Sequence, residues 1–187
     1  MRANEQAARG ARTVVLALAA MLAVGCGGAQ VSTQKPKTHK PAQPGTANSE
    51  ASSRCRDLLP LIQQAADEAH VDPALLVGVV RTESNFRNDA RSGVGAIGLT
   101  QCMRATAKAK RCGDLDQPIE NLRCGARVLA AFLEYYGGNV YLGLSGYNAG
   151  HSMPDRAKAL RILPSNVEYV EDVLWARSRY LAEGCAF

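Results

Sequence analysis

Beyond its first third the sequence has no run of about eighteen apolar residues, which excludes a chain that crosses a membrane repeatedly. That part also lacks a charge surplus. Residues 55–187 hold 15 basic and 15 acidic side chains, so the net charge of +5 comes from the first 54 residues. A basic excess confined to such a start does not point to DNA or RNA, and no nucleic-acid partner is expected. Metal-ligating residues are sparse as well. No two of the 6 Cys are closely spaced, and His39, His70 and His151 form no helical pair of ligands, so no metal site is expected. No run alternates in the manner of a strand. What is present is 47% apolar residues, too many for a wholly disordered chain and enough for one domain with additions.

The additions lie at the N-terminus. Arg2, Arg9 and Arg12 precede an apolar run from Thr13 to Val24, the layout of an export signal with a core too short for a permanent span. The segment Leu22-Ala23-Val24-Gly25-Cys26 resembles the bacterial lipoprotein signal, although that signal more often has Leu three residues before the cysteine, where Ala23 stands here. The resemblance implies that residues 1–25 are removed and that Cys26 takes lipid; secretion without lipid is the alternative. From Gly27 to Ser53 the composition turns to Pro, Gln, Ser, Thr, Lys and Gly, which predicts an unstructured tether. A flexible coil of about 27 residues reaches roughly 30 Å. The expected domain map is therefore 1–25 signal, 26–54 lipidated cysteine and linker, and 55–187 folded domain.

The folded part reads as all-α. Asp57 precedes Leu58, Leu59, Leu61, Ile62, Ala65, Ala66 and Ala69 at helical spacing. Asp72-Pro73 places an N-cap and a first-position proline before Leu75, Leu76, Val79 and Val80. A long helix is expected from Pro118 to Gly137-Gly138, and Ser165 with Glu168 is a capping-box pattern ahead of Val167, Val170, Val173 and Leu174. If Cys26 is lipidated, five cysteines remain, enough for two disulfides and one leftover thiol. Spacing alone does not fix the pairing. Cys112 with Cys124 and Cys55 with Cys185 is the favoured arrangement, with Cys102 as the leftover, buried thiol.

Two features bear on chemistry. Gly93-Val94-Gly95-Ala96-Ile97-Gly98 matches the dinucleotide-binding G-x-G-x-x-G, but a helix and polar loop precede it instead of a strand, so a nucleotide site is rejected. The glycines read better as a tight loop bordering a cleft. Glu83 lies three, four and seven residues after Val80, Val79 and Leu76, so its carboxyl group projects from an apolar stripe. Poor solvation favours the protonated form, the state a general acid requires. The structural alternative is a helix-end glutamate paired with an arginine such as Arg87.

The surroundings of Glu83 decide between these. Glu83-Ser84-x-Phe86, Ala90-x-Ser92, Gly95-Ala96-x-Gly98-Leu99-x-Gln101 and Thr106-Ala107 resemble in order and spacing the first motif of the soluble lytic transglycosylase family. Asp116 to Gly125 through Asn121-Leu122, then Tyr147-Asn148-Ala149-Gly150, then Tyr169-Val170, are similar to three further motifs. The resemblance spans residues 57–181. It implies a lysozyme-like helical domain with an active-site cleft. It also implies cleavage of the β-1,4 bond between N-acetylmuramic acid and N-acetylglucosamine, leaving a 1,6-anhydromuramyl end, with no cofactor. Glu83 would be the single acid and base. Ser84 would orient Glu83 or touch sugar, Gln101 would bond substrate at the cleft wall, Tyr147 and Asn148 would line the opposite side, and Tyr169 would close it. Three positions depart from the pattern: Thr100 for the usual Met, Arg104 for a Pro, and Gly146 for an Ala. The expectation for Thr100 is a loosened contact to substrate, and for Arg104 a charge near peptide stems. His151 reads as an incidental loop residue.

The expected partners are peptidoglycan strands, a membrane through the lipid anchor, and a cell-wall or secretion-machinery protein. The expected location is the cell envelope, with the domain in the periplasm or otherwise outside the cytoplasm. A goose-type lysozyme-like hydrolase and a non-catalytic peptidoglycan-binding lipoprotein are the rival readings.

Overall fold

The computed structural model describes residues 47–186. The expected signal segment, Cys26 and the tether up to residue 46 lie outside the described residues. Seven helices carry the described chain: α1 Ala47–Ala69, α2 Pro73–Ser84, α3 Arg104–Ala109, α4 Pro118–Tyr135, α5 Val140–Ala149, α6 Ser152–Leu160 and α7 Val167–Glu183. Between α2 and α3 lie two short antiparallel strands, β1 Ala96–Ile97 and β2 Cys102–Met103, paired Ala96 to Met103 and Ile97 to Cys102. The all-α reading holds.

Helix α2 is the centre of the fold. Asp72 Oδ1 accepts the Ala74 N–H at 2.9 Å, with Pro73 at the first position, and Asp72 Oδ2 takes Arg177 Nε of α7 at 2.6 Å. Leu75, Leu76, Val77, Val79 and Val80 are all buried, so this helix is apolar on every side rather than striped. It packs along α7, where a Cβ at Gly78 would lie 2.5 Å from the Val173 carbonyl; only glycine permits that approach. Helix α1 packs on α4, and α4 on α5.

The structure corrects two boundaries. Helix α1 begins at Ala47, ten residues before Asp57, so residues 47–54 are helix and not linker. Ala51 and Cys55 are fully buried, and Cys55 is joined by a disulfide to Cys185; burial and that link order a stretch whose polar composition looked unstructured. The capping box at Ser165 does not form. Helix α7 starts after Asn166, which makes no cap bond with its side chain because that side chain is engaged with α5.

Candidate active site

Glu83 sits in the last turn of α2, half-buried. Immediately after it the backbone turns left-handed at two successive non-glycine residues, Asn85 at φ 53° and Phe86 at φ 60°. Such a conformation is costly and persists only where the surroundings over-determine it. Here Phe86 is 1% exposed, the Asn85 N–H bonds the Arg81 carbonyl, and Arg54 Nε of α1 donates to the Asn85 carbonyl at 3.2 Å. Arg87, the alternative partner for Glu83, instead donates its Nε to the Ser84 carbonyl.

Tyr169, in the first turn of α7, donates its hydroxyl to Glu83 Oε1 at 2.9 Å. Tyr147 of α5 donates to the Thr100 carbonyl at 2.9 Å. Burial first, then the neighbouring Glu83 carboxylate, pushes both phenols well above the usual tyrosine range, so both keep their protons through neutral pH. These three side chains form one cluster where the last turns of α2 and α5 and the start of α7 converge with the β1–β2 loop.

That loop is held from behind by Asn121. Fully buried on α4, its Oδ1 accepts from the Thr100 N–H and hydroxyl, and its Nδ2 donates to the Ile97 and Leu115 carbonyls, each at 2.8–2.9 Å. Gly98, at φ 74°, leaves the room: a Cβ there would lie 2.2 Å from Asn121 Nδ2. The glycine-rich loop is thus shaped by Asn121. Gln101 is also left-handed, at φ 47°, and its amide Nε2 donates to the Gly98 and Ala90 carbonyls, which leaves the side-chain oxygen as the group it can offer substrate.

Not every expected residue reaches the cluster. Ser84 is buried, and its hydroxyl donates to the Val80 carbonyl one turn back. Asn148 is exposed, and its Oδ1 accepts from Asn166 Nδ2 at 3.0 Å. Thr100 does not face substrate. It is 1% exposed and fits the side-chain-free slot of Gly125, where a Cβ would lie 2.4 Å from Thr100 Cγ2. Gly146 has a similar reason, since a Cβ there would meet Phe132 at 2.4 Å. Arg104 is exposed at the start of α3.

Three residues make contacts that the sequence did not announce. Asn166 ties Ser145 and Asn148 of α5 to the start of α7. Asn121 belonged to a recognised motif, yet nothing in its spacing told of four bonds in the core. His151, expected to be incidental, packs against Phe132 and Tyr135, and its Nδ1 is 3.2 Å from the Tyr136 hydroxyl. Because Tyr136 gives its proton to Asp155 Oδ1 at 2.9 Å, His151 Nδ1 is the donor in that contact.

Cys112 and Cys124 form a disulfide, as do Cys55 and Cys185, and Cys102 is a buried free thiol. Among the described residues no group of three or more His, Cys, Asp or Glu is placed to hold a metal ion.

The chain matches the family model "Transglycosylase SLT domain" over residues 60–162. A transglycosylase of Enterobacteria phage PRD1 is 34% identical over 117 residues, 63% of this chain and 44% of that protein. A membrane-bound lytic murein transglycosylase C from Yersinia enterocolitica is 30% identical over 115 residues, 52% of this chain and 32% of the relative. Among solved structures, an inactive mutant of the lytic transglycosylase Slt from Pseudomonas aeruginosa superposes with TM-score 0.58 at 28% identity, over 66% of this chain and 24% of that one. The 70 kDa soluble lytic transglycosylase of Escherichia coli superposes with TM-score 0.59 at 22% identity, over 68% and 25% of the two chains, and shares the fold. The chain spans less than half the length of these relatives.

Proposed function

The chain belongs to the transglycosylase SLT domain family, and from that premise we propose that it is a peptidoglycan lytic transglycosylase, cutting the β-1,4 bond between N-acetylmuramic acid and N-acetylglucosamine. The observation that carries this reading is the 2.9 Å hydrogen bond from Tyr169 to Glu83 Oε1, which fixes a carboxyl group at the end of a buried helix beside a second phenol. A carboxyl group held at a fixed position is what general acid and base catalysis requires.

Glu83 gives its proton to the glycosidic oxygen as the bond to C1 of the muramyl residue breaks. The resulting carboxylate then takes the proton of the muramyl C6 hydroxyl while that oxygen closes on C1, leaving a 1,6-anhydro end. One carboxyl group therefore serves as acid and then base, and no water is consumed. A two-carboxylate glycosidase needs a second acid several ångströms away. The loop acids Asp114 and Asp116 are engaged elsewhere: Asp114 caps the Asp116 N–H, and Asp116 pairs with Arg91. Gln101 bonds sugar at one wall, and Tyr147 and Asn148 line the other. The reaction proceeds with protein groups alone.

Residues 1–25 are an export signal, Cys26 carries lipid, and the segment to residue 46 tethers the domain to a membrane of the cell envelope, with the domain on the periplasmic or other outer side. A partner in the cell wall or a secretion machine would direct it to its strands. The test is digestion of purified peptidoglycan by the chain from Gly27 onward, beside Glu83→Gln, with the released muropeptides weighed by mass spectrometry. Anhydro ends, one water lighter than hydrolysis products and missing with Glu83→Gln, support the proposal. Reducing ends would identify a lysozyme-like hydrolase, and glycan binding by folded protein without release would identify a binding module.

A further inference from the structure

Three sulfurs meet between β2 and α4. Cys102 follows Gln101 in β2, and its Sγ lies 3.2 Å from Sγ of Cys124 on α4, which is already bonded to Cys112. With Ile97, Ala107 and Leu115 they make a small core apart from the main one. Cys102 and Cys124 are buried, whereas Cys112, after α3, is only partly so. A thiol in contact with one sulfur of a disulfide is the reactant arrangement for thiol–disulfide exchange, and the reading needs no assumption about catalysis at Glu83.

We propose that Cys102, Cys112 and Cys124 form an intramolecular exchange site, at which Cys102 displaces Cys112 from Cys124 so that the protein exists as two disulfide isomers. Cys102 loses its proton to solvent and its thiolate attacks Cys124 Sγ. The Cys112–Cys124 bond breaks, its electron pair goes to Cys112 Sγ, and Cys112 takes up a proton. One thiol and one disulfide are present before and after, so no oxidant or reductant is used. In the first isomer the end of α3 is stapled to α4. In the second β2 is stapled there, next to Gln101, and the freed Cys112 thiol is the one nearer solvent and open to modification.

Burial pushes the Cys102 thiol up to about 11, so exchange is slow at neutral pH and quickens as the thiolate grows. Cys124 and Cys112 do not titrate while bonded, Ile97, Ala107 and Leu115 carry no charge, and the Tyr147 phenol on α5 keeps its proton.

The test uses the full chain purified from the envelope, incubated without added thiol, quenched in acid, alkylated under denaturing conditions and digested with trypsin. The three cysteines fall on separate peptides, Ser92–Arg104, Cys112–Arg123 and Cys124–Arg127. Because exchange over minutes to hours is complete by the time the protein is in hand, the expected result is label divided between Cys102 and Cys112 from the first time point. Alongside it, Cys112→Ser protein should hold a Cys102–Cys124 bond. Wild-type label that stays on Cys102 alone at every time and pH overturns the proposal, whatever the variant does.

Discussion

Arg54, at the edge of what composition marks as linker, donates its Nε to the carbonyl of Asn85 at 3.2 Å and so holds the left-handed turn that ends the helix carrying Glu83. The contact joins residues 31 apart. A partly buried guanidinium bonded to a carbonyl contributes about 1–2 kcal/mol. Arg54→Ala should therefore lower the melting temperature by roughly 3–8 °C, and should reduce peptidoglycan release more than lost stability explains, since Glu83 precedes the released turn by two residues. A chain starting at Cys55 loses this contact and the buried Ala51 with it, and should lose more. Thermal unfolding by circular dichroism beside the muropeptide assay checks both, and an Arg54→Ala protein unchanged in either would dissociate the turn from this contact.

Tyr169→Phe removes only the hydroxyl that bonds Glu83 Oε1. A hydrogen bond to a charged group in a poorly solvated site contributes about 1.5–3 kcal/mol, so kcat should fall roughly 10- to 100-fold with KM little changed. Because burial and Glu83 push the Tyr169 phenol upward, it remains a donor across the physiological range. No loss of wild-type activity between pH 6 and 9 should trace to its ionisation, which rate measurements on the wild type across that window check.

How much of this was legible follows from where each signal resides. Asp72-Pro73 and Pro118 announced helix starts because caps and first-position prolines are local chemistry. Glu83, Tyr147 and Tyr169 were legible through ordered motifs. Helix α1 before Asp57 was not, because what orders it is the disulfide to Cys185 at the other end of the chain. Where Ser84 and Thr100 turn was not legible for a related reason. Both are small hydroxyl residues beside the site, and only the fold reveals that one turns back to Val80 and the other into the slot at Gly125.

Gly125→Ala tests that slot. The new methyl would meet Thr100 Cγ2 at 2.4 Å and Cβ at 2.5 Å in a region with no free space, and such overpacking costs about 1–3 kcal/mol. Moving Thr100 also moves the carbonyl that receives the Tyr147 hydroxyl. The expectation is lower stability together with a fall in kcat, while Gly137→Ala, at φ 62° in an open turn, should cost stability alone. Equal activity of the two folded variants would show that the Thr100–Tyr147 contact does not matter for turnover.

The two disulfides should differ in importance. In the chain-entropy account, closing the longer loop, with a sequence separation of 130, contributes about 5 kcal/mol, and closing the one with a separation of 12 contributes about 3. Replacing Cys55 and Cys185 together by Ser should therefore lower the urea midpoint more than replacing Cys112 and Cys124. Urea titrations of the two double variants compare them directly, and the reverse order would mean that local packing around Cys124 outweighs loop closure.

Acid should loosen the contact between α1 and α4 at one identifiable point. Glu68 of α1 receives Arg123 of α4 on both oxygens, Nε at 2.7 Å and the second guanidinium nitrogen at 2.8 Å, and also receives Gln64. The hydrogen bond from Arg123 comes first among the causes that hold the Glu68 carboxyl down at about 2 from an ordinary 4.5. A depressed folded-state pKa stabilises the protein fully above 4.5, and that contribution disappears as pH falls through about 2. The pair is exposed, so its contribution is modest and screened by salt. Wild type should melt above Glu68→Gln at pH 7 in low salt. The gap should close between pH 4.5 and 2, and should shrink at pH 7 when salt is raised to about 1 M, where the screening length falls to about 3 Å. A gap unchanged by both acid and salt would assign the effect of Glu68 to packing instead of charge.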